Sequence, residues 1–136
     1  MNAAAQGEVQ IQTESDIVIA RRTVREAAAQ TGFNLTDVTR IVTASSELAR
    51  NLFKYAGGGV MRWRGIEDKG CLGIELQFID QGPGIPDTGL ALQEGYSTGD
   101  GLGMGLPGAK RLVDELEIQS VVGKGTKITL KKWRKS

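Results

Sequence analysis

Glu47 and Asn51 lie four residues apart in Ser46-Glu47-Leu48-Ala49-Arg50-Asn51, a stretch with helical spacing, so the two side chains leave one stripe about one turn apart. They flank the apolar line of Leu48 and Leu52 and therefore border a buried face, where a carboxylate and an amide could address one ligand together. An exposed polar edge has the same spacing. Asp80 ends the apolar run Ile74 to Ile79 and opens Asp80-Gln81-Gly82-Pro83-Gly84. A carboxylate there can accept a hydrogen bond from an amino group, while Gly82 and Gly84 let the backbone approach a flat ring, a combination that suits a purine. A turn closed by an Asx hydrogen bond is the plainer alternative.

The densest signal runs from Gly95 to Gly108, with Gly101, Gly103 and Gly105 just ahead of Leu106 and a helical segment. Exposed backbone N–H groups before a helix N-terminus make an anion or phosphate cradle, and so sparsely anchored a segment could move as a lid. Two familiar motifs fail here. Gly103 to Gly108 satisfies G-x-G-x-x-G, but no strand precedes it and no acid near Val121 to Lys124 could hold a ribose, so a dinucleotide fold is excluded. Gly123-Lys124-Gly125-Thr126 looks like a P-loop fragment, yet Gly follows the Lys and Gln119 stands where the motif needs Gly. It reads as a tight turn whose Thr126 could reach a ligand.

The composition frames these segments. The 136 residues fit one domain spanning 1–136, and ordinary apolar and charged fractions of 40% and 24% argue against disorder. No run approaches the roughly 20 apolar residues of a membrane span. Of 19 glycines, nine fall between Gly82 and Gly108. There is no histidine, which removes His-based acid/base catalysis, His metal ligation and any phosphohistidine on this chain. A net charge of +1 does not call for nucleic acid or a membrane surface as partner. Lys124, Lys127, Lys131, Lys132, Arg134 and Lys135 read as a charged strand edge and a solubilising end. Cys71, the single cysteine, reads as a small buried apolar residue in a reducing compartment, and with no secretory signal at the N-terminus the expected location is cytoplasmic.

Periodicity supplies the elements that must hold the candidate residues. Val9 to Thr13 alternates as a strand, and Ser15 is placed to cap a helix through Ile17, Ala20, Val24 and Ala28 that stops at Gly32. Thr36 is the expected cap of a second helix, from Val38 to Tyr55, which ends at Gly57-Gly58-Gly59. Val60 to Glu67 and Cys71 to Asp80 form a hairpin across Asp68-Lys69-Gly70. After a weak helical turn near Leu90 to Glu94, a helix covers Leu106 to Glu115 with Pro107 in its first turn. Leu116 to Val122 and Thr126 to Trp133 complete a last hairpin. The expected class is α+β, a two-layer sandwich with helices on one face of a mixed sheet and the glycine-rich segment over one edge.

Taken in order, Glu47-x-x-x-Asn51, Asp80-x-Gly82-x-Gly84, Gly101-x-Gly103-x-Gly105-Leu106 and Gly125-Thr126 resemble the Bergerat-type ATP-binding fold of gyrase, Hsp90, histidine kinases and MutL. The resemblance covers nearly the whole chain. Within that superfamily the chain resembles most the small bacterial serine/threonine kinases of partner-switching systems, of the RsbT stressosome type. The resemblance implies ATP bound beneath a glycine-rich lid and Mg²⁺ coordinated by Asn51. It also implies Asp80 on the adenine amino group, Gly82 and Gly84 against the base, Gly101, Gly103, Gly105 and Leu106 around the phosphates, and Thr126 at the adenine end. Glu47 would be the general base for an incoming hydroxyl. The implied partners are a STAS-domain antagonist protein as substrate and a PP2C-type phosphatase, with the oligomeric state open between monomer and homodimer. The length leaves no room for the transducer domains of gyrase, MutL or Hsp90. An anti-sigma or partner-sequestering protein whose grip is controlled by nucleotide is the alternative, and a plain ATPase the third reading.

Overall fold

The computed structural model describes residues 5–82 and 106–134. Their order is β1 (Gln6–Ile11), α1 (Glu14–Thr31), α2 (Leu35–Ala56), β2 (Gly59–Asp68), β3 (Cys71–Asp80), α3 (Leu106–Leu112), β4 (Glu115–Val121) and β5 (Gly125–Trp133). The five strands form one sheet in the order β1-β2-β3-β5-β4. The two-layer α+β expectation holds, with α1 and α2 packed on each other and on one face of the sheet. The sheet itself is not mixed: all four pairings are antiparallel. Two of them are tight hairpins, β1 comes back to β2 through the α1–α2 pair, and β5 inserts antiparallel to β3.

Both hairpins follow from turn chemistry. Lys69 and Gly70 take φ of 53° and 82°, the paired left-handed conformations of a two-residue type I′ turn whose twist matches the strands it joins. At the second, Lys124 N–H donates to the Val121 carbonyl at 2.9 Å, with Gly123 supplying the positive φ that a type II turn needs.

Each long helix starts earlier than its expected cap. Thr13, not Ser15, caps α1: its hydroxyl accepts from the Asp16 N–H at 3.2 Å while Asp16 Oδ2 accepts from Thr13 N–H at 3.0 Å. This reciprocal box satisfies two otherwise orphaned donors, which one Ser15 hydroxyl could not do. Asn34, not Thr36, caps α2, accepting from Asp37 N–H at 2.8 Å. Gly32 and Gly57 close the two helices in the left-handed conformation, as expected.

The third helix stops at Leu112 instead of Glu115, because β5 captures the chain: Asp114 N–H donates to the Lys131 carbonyl and Asp114 Oδ2 accepts from Trp133 N–H. The first strand spans Gln6–Ile11, earlier than Val9 to Thr13, since Thr13 is committed to capping. The expected turn at Leu90 to Glu94 lies outside the described residues.

The core lies between the layers. Val24, Ile41, Leu48 and Leu52 from the helices meet Met61, Ile74, Leu76, Phe78 and Leu130 from the sheet, and Leu106 and Ala109 of α3 join them. Lys132 departs from the expectation of a solvated basic edge. It is 6% exposed on the helix-facing side of β5, its Nζ 3.8 Å from Asp37 Oδ1 and 3.8 Å from Asp114 Oδ1. A lysine is buried this deeply only when paired. Cys71 is half-buried, its Sγ 3.2 Å from the Arg134 carbonyl, and so is less enclosed than expected. On the opposite sheet face Arg64 holds the buried Glu75 in a two-pronged contact at 2.8 and 3.3 Å, and that hydrogen bonding and charge raise the Arg64 pKa above its ordinary value.

Candidate functional site

Helix α2 is amphipathic over its whole length. Val38, Ile41, Val42, Ser45, Leu48, Ala49 and Leu52 form its buried stripe. Glu47 and Asn51 sit half-buried at the border of that stripe, as their spacing from Leu48 and Leu52 requires. Glu47 Oε1 is 3.5 Å from Arg50 Nη1 one turn on, a half-exposed pair of little energetic weight. On the other side of Glu47, Ser46 ties α2 to α1, its Oγ accepting from Arg21 Nε at 3.1 Å and donating to the Val42 carbonyl at 2.7 Å.

The C-terminal end of α2 is locked to the end of β3. A Cβ on Gly59 would collide with Leu52 Cδ2 and the Ile79 carbonyl, and one on Gly82 would lie 3.0 Å from Ala56 Cβ. Glycine at both positions lets the last turn of α2 sit against the strand end that carries Asp80. Asn51 is five residues before Ala56, about 7.5 Å along the helix axis, and Glu47 one turn further back. One helix therefore presents Glu47, Asn51 and its own C-terminal turn in a line that ends beside Asp80.

Three polar side chains form a row across the sheet at that end. Asp80 on β3 is directly opposite Thr126 on β5, and Thr126 is directly opposite Ser120 on β4. Residues paired in this way share a face, here the one that carries Ile128 and Leu130 into the core. Asp80 Oδ1 accepts from Gly82 N–H at 2.8 Å, the Asx turn that was the plainer reading of this segment. The two readings are compatible, since a carboxylate has a second oxygen. Thr126 is buried, and its Oγ1 is 2.9 Å from Ser120 Oγ. A cleft of about 510 Å³ opens here, lined in part by Asp80, Ser120, Lys124 and Thr126.

The described residues thus place Asp80, Gly82 and Thr126 at the sheet end beside the last turn of α2, while Glu47 and Asn51 lie further back along that helix and do not line the cleft. Leu106 begins α3 and is 1% exposed, an apolar anchor in the core. Gly84, Gly101, Gly103 and Gly105 lie outside the described residues. Ser120 went unnoticed in the sequence, although a turn at Val122 to Lys124 fixes the hairpin register and with it the pairing of residues 120 and 126. No group of three or more His, Cys, Asp or Glu among the described residues could hold a metal. A divalent cation would instead need ligand oxygens plus a hard protein oxygen, and the side-chain carbonyl of Asn51 has the donor chemistry that Mg²⁺ accepts. No helix among the described residues is long and apolar enough to cross a membrane.

Comparison with known proteins gives the same architecture a family. Residues 36–136 match the family described as histidine kinase-, DNA gyrase B-, and HSP90-like ATPase. The chain is 50% identical to the serine/threonine-protein kinase RsbT of Bacillus subtilis over 125 residues, 92% of this chain and 94% of that protein. It is 32% identical to the anti-sigma F factor of Caldanaerobacter subterraneus over 122 residues, 84% of this chain and 82% of that protein. Among solved structures, that of the RsbU and RsbW domains of Rv1364c from Mycobacterium tuberculosis shares the fold. Its TM-score is 0.65 at 22% identity, and the match spans 99% of this chain and 34% of that one.

Proposed function

The chain belongs to the histidine kinase-, DNA gyrase B- and HSP90-like ATPase family and to its serine/threonine kinase branch, and from that premise we propose that it is an ATP- and Mg²⁺-dependent kinase that phosphorylates a hydroxyl of a STAS-domain antagonist protein in a partner-switching pathway of the stressosome kind. The observation that carries this reading is the alignment of Glu47 and Asn51 on a helix whose last turn packs beside Gly82, at the strand end where Asp80 pairs with Thr126.

In this reading ATP with Mg²⁺ supplies the phosphoryl group and neutralises charge on the phosphates. Asn51 holds the metal through its side-chain oxygen. Asp80 accepts from the adenine amino group, Gly82 and Gly84 admit the ring, and Thr126 closes the adenine end. Gly101, Gly103, Gly105 and Leu106 supply the phosphate side. Glu47 takes the proton of the acceptor hydroxyl as it attacks. Phosphoryl transfer is mainly positioning and electrostatics, so these few groups suffice once a partner protein delivers its serine or threonine. The absence of histidine fits a phosphate that passes directly to another chain. Phosphorylation of the antagonist would free the kinase to engage a PP2C-type phosphatase, in the cytoplasm and as monomer or homodimer, without nucleic acid or membrane.

Radiolabel transfer from ATP to a STAS-domain protein, with Mg²⁺, tests the proposal. Transfer to a serine or threonine is expected. Glu47→Ala should lower it by roughly 10²- to 10⁴-fold while ATP still binds; transfer at the parent rate by that variant would remove Glu47 from the mechanism. The similarity to anti-sigma F factors favours a second reading, a nucleotide-controlled sequestering protein with little kinase activity. A partner pulldown that depends on ATP against ADP, without label transfer, would select it.

A further inference from the structure

The Asp80 side chain is pinned by its own turn: Oδ1 accepts from Gly82 N–H at 2.8 Å. The terminal torsion of an aspartate is broad and roughly two-fold, so a carboxylate without such a bond sweeps its oxygens through a wide arc. With Oδ1 engaged, Oδ2 keeps one direction for as long as the Gly82 N–H stays in place, because hydrogen bonds weaken steeply once they bend. Gly82 in turn stands against the last turn of α2. A Cβ on Gly82 would lie 3.0 Å from Ala56 Cβ, 3.2 Å from Ala56 Cα and 3.2 Å from Asp80 Oδ1. The gap between Gly82 and Ala56 is therefore too tight for one more methyl group unless one side gives way. Ala56 has no polar side-chain atom to offer a ligand; what it contributes is its size.

We infer that Ala56 is a positioning residue for base selectivity: its methyl group seats Gly82 so that the turn holds the Asp80 carboxylate in the orientation that accepts from the exocyclic amino group of a purine. This rests on the reading of Asp80 as the base end of the site. A larger side chain at position 56 displaces Gly82, bends or breaks its bond to Oδ1 and leaves the carboxylate free to turn. A purine that donates an amino group then loses advantage over one that bears a carbonyl there, since discrimination of this kind depends on a polar group held where the amino group arrives.

The test is calorimetric titration of the full chain with Mg²⁺ and either ATP or inosine triphosphate, whose hypoxanthine has a carbonyl in place of the amino group. The parent should favour ATP. Ala56→Val, stiff and branched at Cβ, should narrow the ATP-to-inosine preference roughly tenfold. Gly82→Ala fills the same gap from the other side and should narrow it too. Adding Ala56→Gly to Gly82→Ala removes the methyl that the new Cβ meets and should recover part of the preference, even though glycine in a helix lowers stability. Selectivity and melting temperature then move in opposite directions, which a merely structural alanine would not produce. An unchanged preference in Ala56→Val, or equal weakening of both nucleotides by it, overturns the inference; should that variant fail to fold, absence of recovery in the double variant does so. Asp80→Asn separates the two levels. If it binds both nucleotides as the parent does, the base does not sit at Asp80 and the underlying reading fails. If it weakens ATP while Ala56→Val leaves the preference intact, only the role of Ala56 fails.

Discussion

Gly125 lies directly against the backbone of Asp80: a Cβ on Gly125 would run into the Asp80 carbonyl and come within 2.8 Å of Gln81 Cα. Its φ of 132° is also one that side-chain-bearing residues rarely adopt. Gly125→Ala is expected to lower stability by about 2 kcal/mol or more and to push Asp80 away from Thr126. Thermal melting checks the first effect and ATP titration the second; an alanine variant with parent stability and affinity would refute the close approach.

Asn51 is the one protein oxygen donor assigned to the metal, so its loss should show as a dependence on Mg²⁺. Asn51→Ala is expected to weaken nucleotide binding in Mg²⁺ by about 1.4 kcal/mol or more, tenfold in Kd, with a smaller effect in its absence. Calorimetry with and without Mg²⁺ measures the difference, and equal losses in both conditions would reassign the residue.

The cap of α1 couples stability to acid. The Asp16 pKa is lowered, chiefly by the hydrogen bond from Gln12 N–H; desolvation opposes this, and bonds from the Thr13 backbone and side chain add to the lowering. A folded-state value below the unfolded one means that the contribution is complete above the ordinary carboxylate value and is lost as pH falls through the lowered one. Thr13→Ala should cost about 1 kcal/mol at neutral pH. Asp16→Asn should destabilise at neutral pH, and its difference from the parent should vanish in strong acid; denaturant unfolding across pH follows this directly.

Lys132 answers two carboxylates at once, Asp37 at the start of α2 and Asp114 after α3. Lys132→Met leaves the buried Asp37 with Arg40, at 3.3 Å, as its one ion-pair partner among the described residues and should cost about 3 kcal/mol. Adding Asp37→Asn to that variant should recover part of the loss. A double-mutant cycle read by denaturant unfolding gives the coupling, and strict additivity would dissolve the pair.

How far the sequence could be read depended on whether a signal was local. Helix α2 was legible because the stripe through Leu48 and Leu52 and the stop at Gly57 sit within the helix itself, and Lys69-Gly70 announced its own hairpin. Glu47, Asn51 and Asp80 could be placed relative to their elements for the same reason. The antiparallel sheet could not be read, since the insertion of β5 between β3 and β4 depends on contacts between distant segments. Lys131 and Lys132 stand side by side in a basic stretch, yet strand alternation sends them to opposite faces, and the partner that makes burial tolerable for Lys132 is Asp37, far away in sequence. Ser120 is intermediate. Its pairing follows from the turn, but its 2.9 Å contact with the buried Thr126 shows only in the folded sheet.

The position of β5 has a consequence for how the protein is made. β5 is the last described strand to be synthesised, yet it is an interior strand of the sheet and carries Thr126. Until it leaves the ribosome, the helices and the β2–β3 hairpin can form, but one edge of β3 lacks its partner, an open edge of the kind that recruits other chains. Pairing β3 with β5 also closes a long loop, the slow kind of contact in folding. The closing strand of the fold and the Asp80–Thr126 pair thus arrive in one event, so a nascent chain that has not finished folding lacks that pair.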